Sequence, residues 1–220
     1  MSRIDLVIFD LDGLLVDSES LQFEAYHQVF AHHGAVINKA DWPKWHRLEA
    51  SAARWIEAHG LDLDAEIIRD EKKTLYEALV AQKLELKPGA AQLIDDLAQH
   101  CRLCVASGSR LESIEACLDK FALTDKFEHL FSATLLKRKK PFPDVYLQAL
   151  DEMKVGAENS VSLEDSLTGL QASLAADIPC VICPDSFYPR EKSAFKGALA
   201  IVDSLEELNY EVLQNYISTV

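Results

Sequence analysis

The order of strand-like and helix-like segments is the feature of this sequence that most restricts its fold. From residue 102 onward, short apolar segments alternate with longer segments whose apolar residues recur at helical spacing. The strand-like segments read RLCVAS, LFSAT, SVSLE and PCVIC, with ALAIVD as one further candidate. Alternation of this kind predicts a parallel sheet with helices on both faces.

The first strand of the sheet is expected far upstream, at Ile4–Phe9. Between this strand and the alternating region, apolar residues three or four positions apart indicate helices only. We therefore predict a Rossmann-like α/β core formed by residues 1–16 and 87–220. An α-helical cap domain, residues 17–86, is inserted directly after the first strand.

The charge balance restricts the partners. The chain carries 36 acidic and 22 basic residues, a formal net charge of -14. Nucleic acids and anionic lipids require a basic face, so we expect neither as a partner. The apolar run near the N-terminus is too short for the central region of a signal peptide, and no stretch approaches the roughly 20 apolar residues that span a bilayer. We expect a cytoplasmic protein.

Two C-x-x-C pairs, Cys101 with Cys104 and Cys180 with Cys183, raise the question of a zinc or redox site. Both pairs lie in strand-like segments, where residues three apart point to opposite faces. One zinc ion cannot readily bind both members of such a pair. We interpret these cysteines as buried or sheet-edge residues.

Polar residues follow three of the predicted strands. In an open parallel sheet, ligands bind beyond the carboxyl ends of the strands. This rule selects Asp10 and Asp12 after the first strand, Ser107 after CVA, and Glu164 with Asp165 after VSL. Carboxylates brought together in this way require a cation, and oxygen ligands suit Mg²⁺.

Positive charge is concentrated in the segment LLKRKKPFPD, whose four basic residues are Lys137, Arg138, Lys139 and Lys140. Such a run is commonly a solvated patch. Its position in a loop between a strand and a helix, however, favours a role for at least one of these residues. Pro141 restricts the backbone of Lys140 to extended conformations and would help to fix its direction. If the loop register shifts by one residue, Lys139 would take its place.

The DLDG segment has two simpler interpretations. Asp and Gly are frequent in tight turns, so the segment could be a turn alone. A calcium-binding loop would need a glutamate at loop position twelve, but Leu21 stands there, and a strand precedes the segment instead of a helix. We therefore discount calcium.

Four motifs in order resemble those of haloacid dehalogenase-superfamily phosphatases, in the branch that contains β-phosphoglucomutase and phosphoglycolate phosphatase. They are DLDGLLVDSE, VASGS, KKPFPDVY and LEDSLTG, and together they cover nearly the whole chain. The resemblance implies that Asp10 is a nucleophile that forms an aspartyl-phosphate, and that Asp12 is a general acid and base. Dehalogenases lack this second aspartate, so its presence favours phosphate-ester chemistry.

The same resemblance assigns the remaining site residues. Mg²⁺ would be held by the carboxylate of Asp10, the carbonyl of Asp12 and Asp165, with Glu164 nearby or through water. The set assigned to the phosphate consists of Ser107, Lys140, and the backbone amides of Leu11 and Gly108. The helical insertion resembles a substrate-selecting cap. There Arg47 is a candidate for a second anionic group of the substrate, and Trp42 or Trp45 for stacking on a sugar; packing or solvation of these side chains is the alternative.

These observations predict a Mg²⁺-dependent phosphatase of small phosphorylated metabolites, including sugar phosphates, that functions as a monomer. A sugar phosphomutase of the β-phosphoglucomutase type would use the same residues. A sensor that binds phosphorylated ligands without catalysis is the alternative from another class. The pairing of Asp10 with Asp12 argues against the sensor, because a binding protein has no use for an acid and base beside a nucleophile.

Overall fold

The chain is organised as two compact units. The computed structural model describes residues 3–42, 51–185, 187 and 191–219. One unit consists of Met1–Val16 together with Leu86–Val220, and the other is Asp17–Glu85. The second unit is therefore an insertion into the first, and its helical content follows the pattern of the sequence.

The first unit is built on a six-stranded parallel sheet with the strand order β3-β2-β1-β4-β5-β6. The strands are β1 Leu6–Phe9, β2 Arg102–Ser107, β3 His129–Ser132, β4 Ser160–Glu164, β5 Cys180–Ile182 and β6 Ala200–Ile201. The strand order reverses at β1, because β2 and β3 lie on one side of it and β4 to β6 on the other. Crevices at such switch points are the usual ligand sites of open α/β sheets.

The described helices belong to both units. In the first unit they are α4 Ala90–Leu97, α5 Leu111–Lys120, α6 Asp144–Met153, α7 Leu167–Leu174 and α8 Tyr210–Ile217; in the second they are α1 Ser18–His32, α2 Ala52–Ala58 and α3 Ala65–Lys83. The predicted α/β class, with a parallel sheet and a helical insertion, is confirmed. Helix α4 begins at Ala90, two residues later than the predicted start at Pro88.

Strand β1 is the centre of the core. Every residue of Leu6–Phe9 is buried, as expected for a strand with neighbours on both sides and both faces covered. Leu6 and Ile8 point to the face that is covered by Val145 and Ala149 of α6. The alternation of side chains sends the intervening residues to the opposite face, where Phe9 meets Phe127 edge-on.

The helical unit has an apolar interior of its own. Helix α1 packs against α3, and Asp64 caps the start of α3 by accepting hydrogen bonds from the amides of Glu66 and Ile67. Trp42 is 1% exposed and lies against the rings of Phe23 and Tyr26. It therefore packs inside this unit, and the hypothesis that Trp42 stacks on a sugar is wrong.

None of the described helices combines the length and the apolar character needed to cross a bilayer.

A close approach between α7 and β4 yields a stability prediction. A Cβ atom at Gly169 would lie 1.9 Å from Cδ of Glu164, a buried side chain that cannot move aside freely. We expect Gly169→Ala to lower the free energy of unfolding by about 1–3 kcal/mol, as for other overpacked sites. Urea unfolding would measure it, with Gly108→Ala as the control, since a Cβ there meets nothing within 4 Å. Equal stability of the two variants would contradict this packing.

Candidate active site

The candidate active site lies at the carboxyl edge of the sheet in the first unit. Asp10 directly follows β1, and Ser107 and Glu164 are the last residues of β2 and β4. Because these strands are parallel neighbours, their carboxyl ends meet at one edge. The fold thus brings together residues that are far apart in the sequence, such as Asp10 and Glu164, which are separated by 154 positions.

Lys140 connects the two central carboxylates. Its Nζ donates hydrogen bonds to Asp10 Oδ1 at 2.6 Å, to Glu164 Oε1 at 2.6 Å and to the carbonyl oxygen of Ala106 at 2.8 Å. Lys139 is exposed, so the loop does not adopt the shifted register considered above. The ammonium has three acceptors, which matches its three donors.

The electrostatics of this cluster are dominated by burial. Asp10 is 7% exposed and Glu164 is fully buried. Burial raises the pKa of Asp10 to about 8; Lys140 opposes this effect, while Glu164 and Asp12 add to it. Burial also disfavours the charged form of Lys140, but the carboxylates of Asp10 and Glu164 more than offset this and raise its pKa. Lys140 is therefore held as a cation among excess negative charge.

Tyr146 binds the same oxygen of Glu164 as Lys140 does. Its hydroxyl donates to Glu164 Oε1 at 2.5 Å, and its ring lies 5.1 Å from the Lys140 ammonium. Burial raises the pKa of Tyr146 well above its ordinary value, and the neighbouring Glu164 adds to the shift. The phenol consequently stays protonated and acts as a hydrogen-bond donor.

Asp12 is held by serine hydroxyls at the end of β2 and on the loop that follows it. Ser109 Oγ donates to Asp12 Oδ2 at 2.6 Å, and Ser107 Oγ lies 3.4 Å from the same oxygen. The loop behind Asp12 turns at Gly13, whose φ of +82° is favourable only for glycine. A hydrogen bond from the Gly13 amide to the carbonyl of Val16 closes this loop.

Three carboxylates are placed to share a cation. Oxygen atoms of Asp10, Glu164 and Asp165 all lie within 4.8 Å of one another. A set of oxygen donors suits a hard cation such as Mg²⁺. Lys140 offsets only part of the negative charge, so the donor set and its electrostatics both fit a divalent ion. The carboxylate of Asp12 accepts from the serines, which is compatible with the backbone carbonyl that the family resemblance assigns to the ion.

The remaining predicted residues differ in their placement. Gly108 is exposed directly after β2, beside Ser107. Arg47 and Trp45 lie outside the described residues. The cysteines of the two C-x-x-C pairs form no disulfides, and burial raises the pKa of each, to about 11 for Cys183. Cys104 and Cys180 are buried, while Cys101 directly precedes β2 and Cys183 directly follows β5, so the interpretation as buried or sheet-edge cysteines is confirmed.

Sequence reasoning missed three residues of this edge: Ser109, Tyr146 and Asp185. Ser109 is the last residue of the motif VASGS, and Tyr146 is the last residue of KKPFPDVY. Both motifs were recognised, but neither residue was given a role. Asp185 follows β5 and is 2% exposed. The rule that selected residues after the other strands would have selected it as well.

The sequence matches a family model described as a haloacid dehalogenase-like hydrolase over residues 4–177. The protein CbbY of Cereibacter sphaeroides is 34% identical over 224 residues, covering 93% of this chain and 94% of that protein. Hexitol phosphatase B of Escherichia coli strain K12 is 30% identical, covering 83% and 84%. Among solved structures, a variant of CbbY from Rhodobacter sphaeroides in complex with xylulose-1,5-bisphosphate has a TM-score of 0.76 at 30% identity, covering 93% of this chain and 96% of that chain.

The position of Lys140 predicts a large effect on stability. Lys140→Met leaves Asp10 and Glu164 buried without their common cation, so we expect the free energy of unfolding to fall by about 3–5 kcal/mol at a pH above about 8, where Asp10 is ionised. Urea unfolding in chelator would measure this change. The matched control is Lys154→Met, because Lys154 is an exposed lysine.

A second substitution tests the cause. Adding Glu164→Gln to Lys140→Met removes one of the two buried charges, so we expect part of the lost stability to return. A Lys140→Met variant as stable as the wild type would show that the ammonium does not compensate these carboxylates.

Proposed function

The chain belongs to the haloacid dehalogenase-like hydrolase family and is a phosphoric monoester hydrolase, and on that premise we propose how it acts. The proposed enzyme is a Mg²⁺-dependent phosphatase that hydrolyses small phosphorylated metabolites through an aspartyl-phosphate on Asp10. The observation that carries the proposal is the buried arrangement of Asp10 with Lys140 at the switch point of the sheet.

In the first half of the proposed reaction, a carboxylate oxygen of Asp10 forms a bond to phosphorus while the bond from phosphorus to the substrate alcohol breaks. Asp12 gives its proton to the departing alcohol oxygen. Ser109 supports this role because its hydrogen bond holds the Asp12 carboxyl at the same edge of the sheet as Asp10.

In the second half, Asp12 accepts a proton from water as the water oxygen attacks phosphorus. The bond between phosphorus and Asp10 breaks, which releases inorganic phosphate and restores the carboxylate. Ser107, the backbone amide of Gly108 and Lys140 are proposed to bind the phosphoryl oxygens, where negative charge develops. The ammonium of Lys140 already lies 2.6 Å from the nucleophile.

Mg²⁺ bound by Asp10, Asp165 and the carbonyl of Asp12 would offset the charge of the phosphoryl group and orient it. The buried Glu164 is already engaged by Lys140 and Tyr146, which supports a role in holding the lysine in addition to its place beside the ion. Its side chain joins the proposed metal site to the proposed phosphate site.

Sugar phosphates are the proposed substrate class. Two relatives support it through what they act on or bind, namely the hexitol phosphatase and the CbbY variant with xylulose-1,5-bisphosphate. Phosphate release should be measured across hexitol phosphates, ketose phosphates and ketose bisphosphates with Mg²⁺. Interconversion of sugar phosphate isomers without net phosphate release would identify a mutase instead, and binding without turnover would identify a sensor.

The nucleophile yields the first catalytic prediction. Asp10→Asn keeps the shape of the side chain but removes the attacking carboxylate, so we expect phosphate release to fall by roughly 10³-fold or more. Hydrolysis of an aryl phosphate at saturating Mg²⁺ would measure it. The control is Asp151→Asn at a carboxylate that is 80% exposed. Turnover of Asp10→Asn close to that of the control would exclude Asp10 as the nucleophile.

The second catalytic prediction concerns the proposed Mg²⁺ ion. We expect chelation to stop turnover and added Mg²⁺ to restore it. Asp165→Asn should raise the Mg²⁺ concentration for half-maximal activity by about tenfold or more, because a charged ligand is lost. Activity titrated with Mg²⁺ in both proteins tests this. An unchanged midpoint in Asp165→Asn, or full activity in chelator, would contradict the metal assignment.

A further inference from the structure

A second buried lysine–carboxylate pair lies at the same edge of the sheet, outside the residues assigned to catalysis. Lys87 Nζ is 2.9 Å from Asp185 Oδ2, and the two side chains are 16% and 1% exposed. The other oxygen of Asp185 accepts a hydrogen bond from the backbone amide of Phe187 at 2.6 Å. Both oxygens of this carboxylate are therefore engaged, which fixes its orientation.

This pair borders the proposed metal site at Gly13. A Cβ atom on Gly13 would lie 2.4 Å from Asp165 Oδ2 and 3.4 Å from Asp185 Oδ2, so both carboxylates face the same glycine. The Cys183 thiol gives an independent indication, because Lys87, Asp165 and Asp185 all influence its pKa in addition to burial. The two carboxylates and the ammonium bound to one of them thus lie around the same glycine.

The backbone holds Lys87 in this place. Its amide donates to the carbonyl of Leu15 at 2.9 Å, and the preceding Leu86 pairs with Val16 in an antiparallel bridge. The loop that carries Asp12 is therefore also the anchor of Lys87. Removal of the Asp185 carboxylate would leave the backbone of Lys87 anchored to this loop.

An ammonium in this position can act against a metal ion. Lys87 and a divalent cation are both attracted to the carboxylate of Asp165, and at short range in a buried site the attraction is strong. Lys140 already donates a hydrogen bond to one oxygen of Asp10. A second lysine bound to Asp165 would therefore leave the ion with fewer carboxylate oxygens to bind. The carboxylate of Asp185 supplies Lys87 with a partner that is not among the proposed ligands.

We propose that Asp185 is a positioning residue that binds the Lys87 ammonium and thereby keeps it from competing with a cation for Asp165. This inference rests on the metal site of the proposed function. It explains why a carboxylate that binds neither substrate nor metal is buried beside the site with a lysine of its own.

The test is a double-substitution cycle read by metal binding alone. Mn²⁺ is titrated into metal-free protein without substrate, and unbound Mn²⁺ is followed by electron paramagnetic resonance. We expect Asp185→Asn to weaken Mn²⁺ binding by about tenfold, because Lys87 turns to Asp165. Lys87→Met alone should change it by less than about threefold, since its charge is already taken up by Asp185. The variant with both substitutions should bind nearly as the wild type does.

Three results would overturn the inference. The first is Mn²⁺ binding by Asp185→Asn that is as tight as in the wild type. The second is a double variant that binds as weakly as Asp185→Asn, as a purely structural role requires. The third is tightening by Lys87→Met that equals the weakening by Asp185→Asn, as simple addition of charges requires. Thermal unfolding confirms that each variant is folded. Asp185→Ser, which also removes the carboxylate, replaces Asp185→Asn if the latter is unfolded.

The metal site itself is tested in the same titration. Asp165→Asn should bind Mn²⁺ much more weakly than the wild type. If wild type and Asp165→Asn bind alike, the proposed metal site has failed. If they differ while Asp185→Asn matches the wild type, the metal site stands and only the role of Asp185 has failed.

Discussion

The contact between Lys140 and two buried carboxylates is the interaction on which the rest of the site depends. Asp10 and Glu164 lie at the carboxyl ends of the neighbouring strands β1 and β4, with carboxylate oxygens within 4.8 Å of each other. Like charges this close in a buried site repel strongly. The ammonium relieves this repulsion and is itself kept charged by the two carboxylates. Fold stability and reactivity are thereby coupled, because the same lysine that permits both acids to be buried also lies against the proposed nucleophile.

The topology decides where this interaction can occur. Strand β1 lies between β2 and β4, and the chain changes sides of β1 between β3 and β4. The connections that leave β1 and β4 diverge at such a point and open a crevice. Asp10 and Asp165 enter this crevice from two adjacent strands, while Lys140 enters from the segment before α6. The insertion after β1 begins and ends at neighbouring residues, because the amide of Asp17 donates to the carbonyl of Glu85.

Strand periodicity and the rule of carboxyl ends were enough to predict the sheet and the convergence of Asp10, Ser107, Glu164 and Asp165. The partners of these residues were harder to predict. That Tyr146 reaches Glu164 depends on the angle at which α6 crosses the sheet, and that Ser109 reaches Asp12 depends on the shape of one loop. The packing of Trp42 likewise required the arrangement of the helices around it, because periodicity does not separate a buried aromatic residue from a ligand-facing one.

The distribution of positive charge gives the acidic sheet edge its organisation. In a chain with 36 acidic and 22 basic residues, two lysines are placed behind the carboxylates of this edge, Lys140 with Glu164 and Lys87 with Asp185. Each lysine is bound to a fully or almost fully buried carboxylate. Two lysines offset only part of the negative charge of Asp10, Glu164, Asp165 and Asp185, so the cluster keeps a net negative charge beside the residues proposed to bind the ion. Buried ion pairs contribute little net stability of their own. The placement of the two ion pairs is therefore better explained by the distribution of charge at this sheet edge than by their contribution to stability.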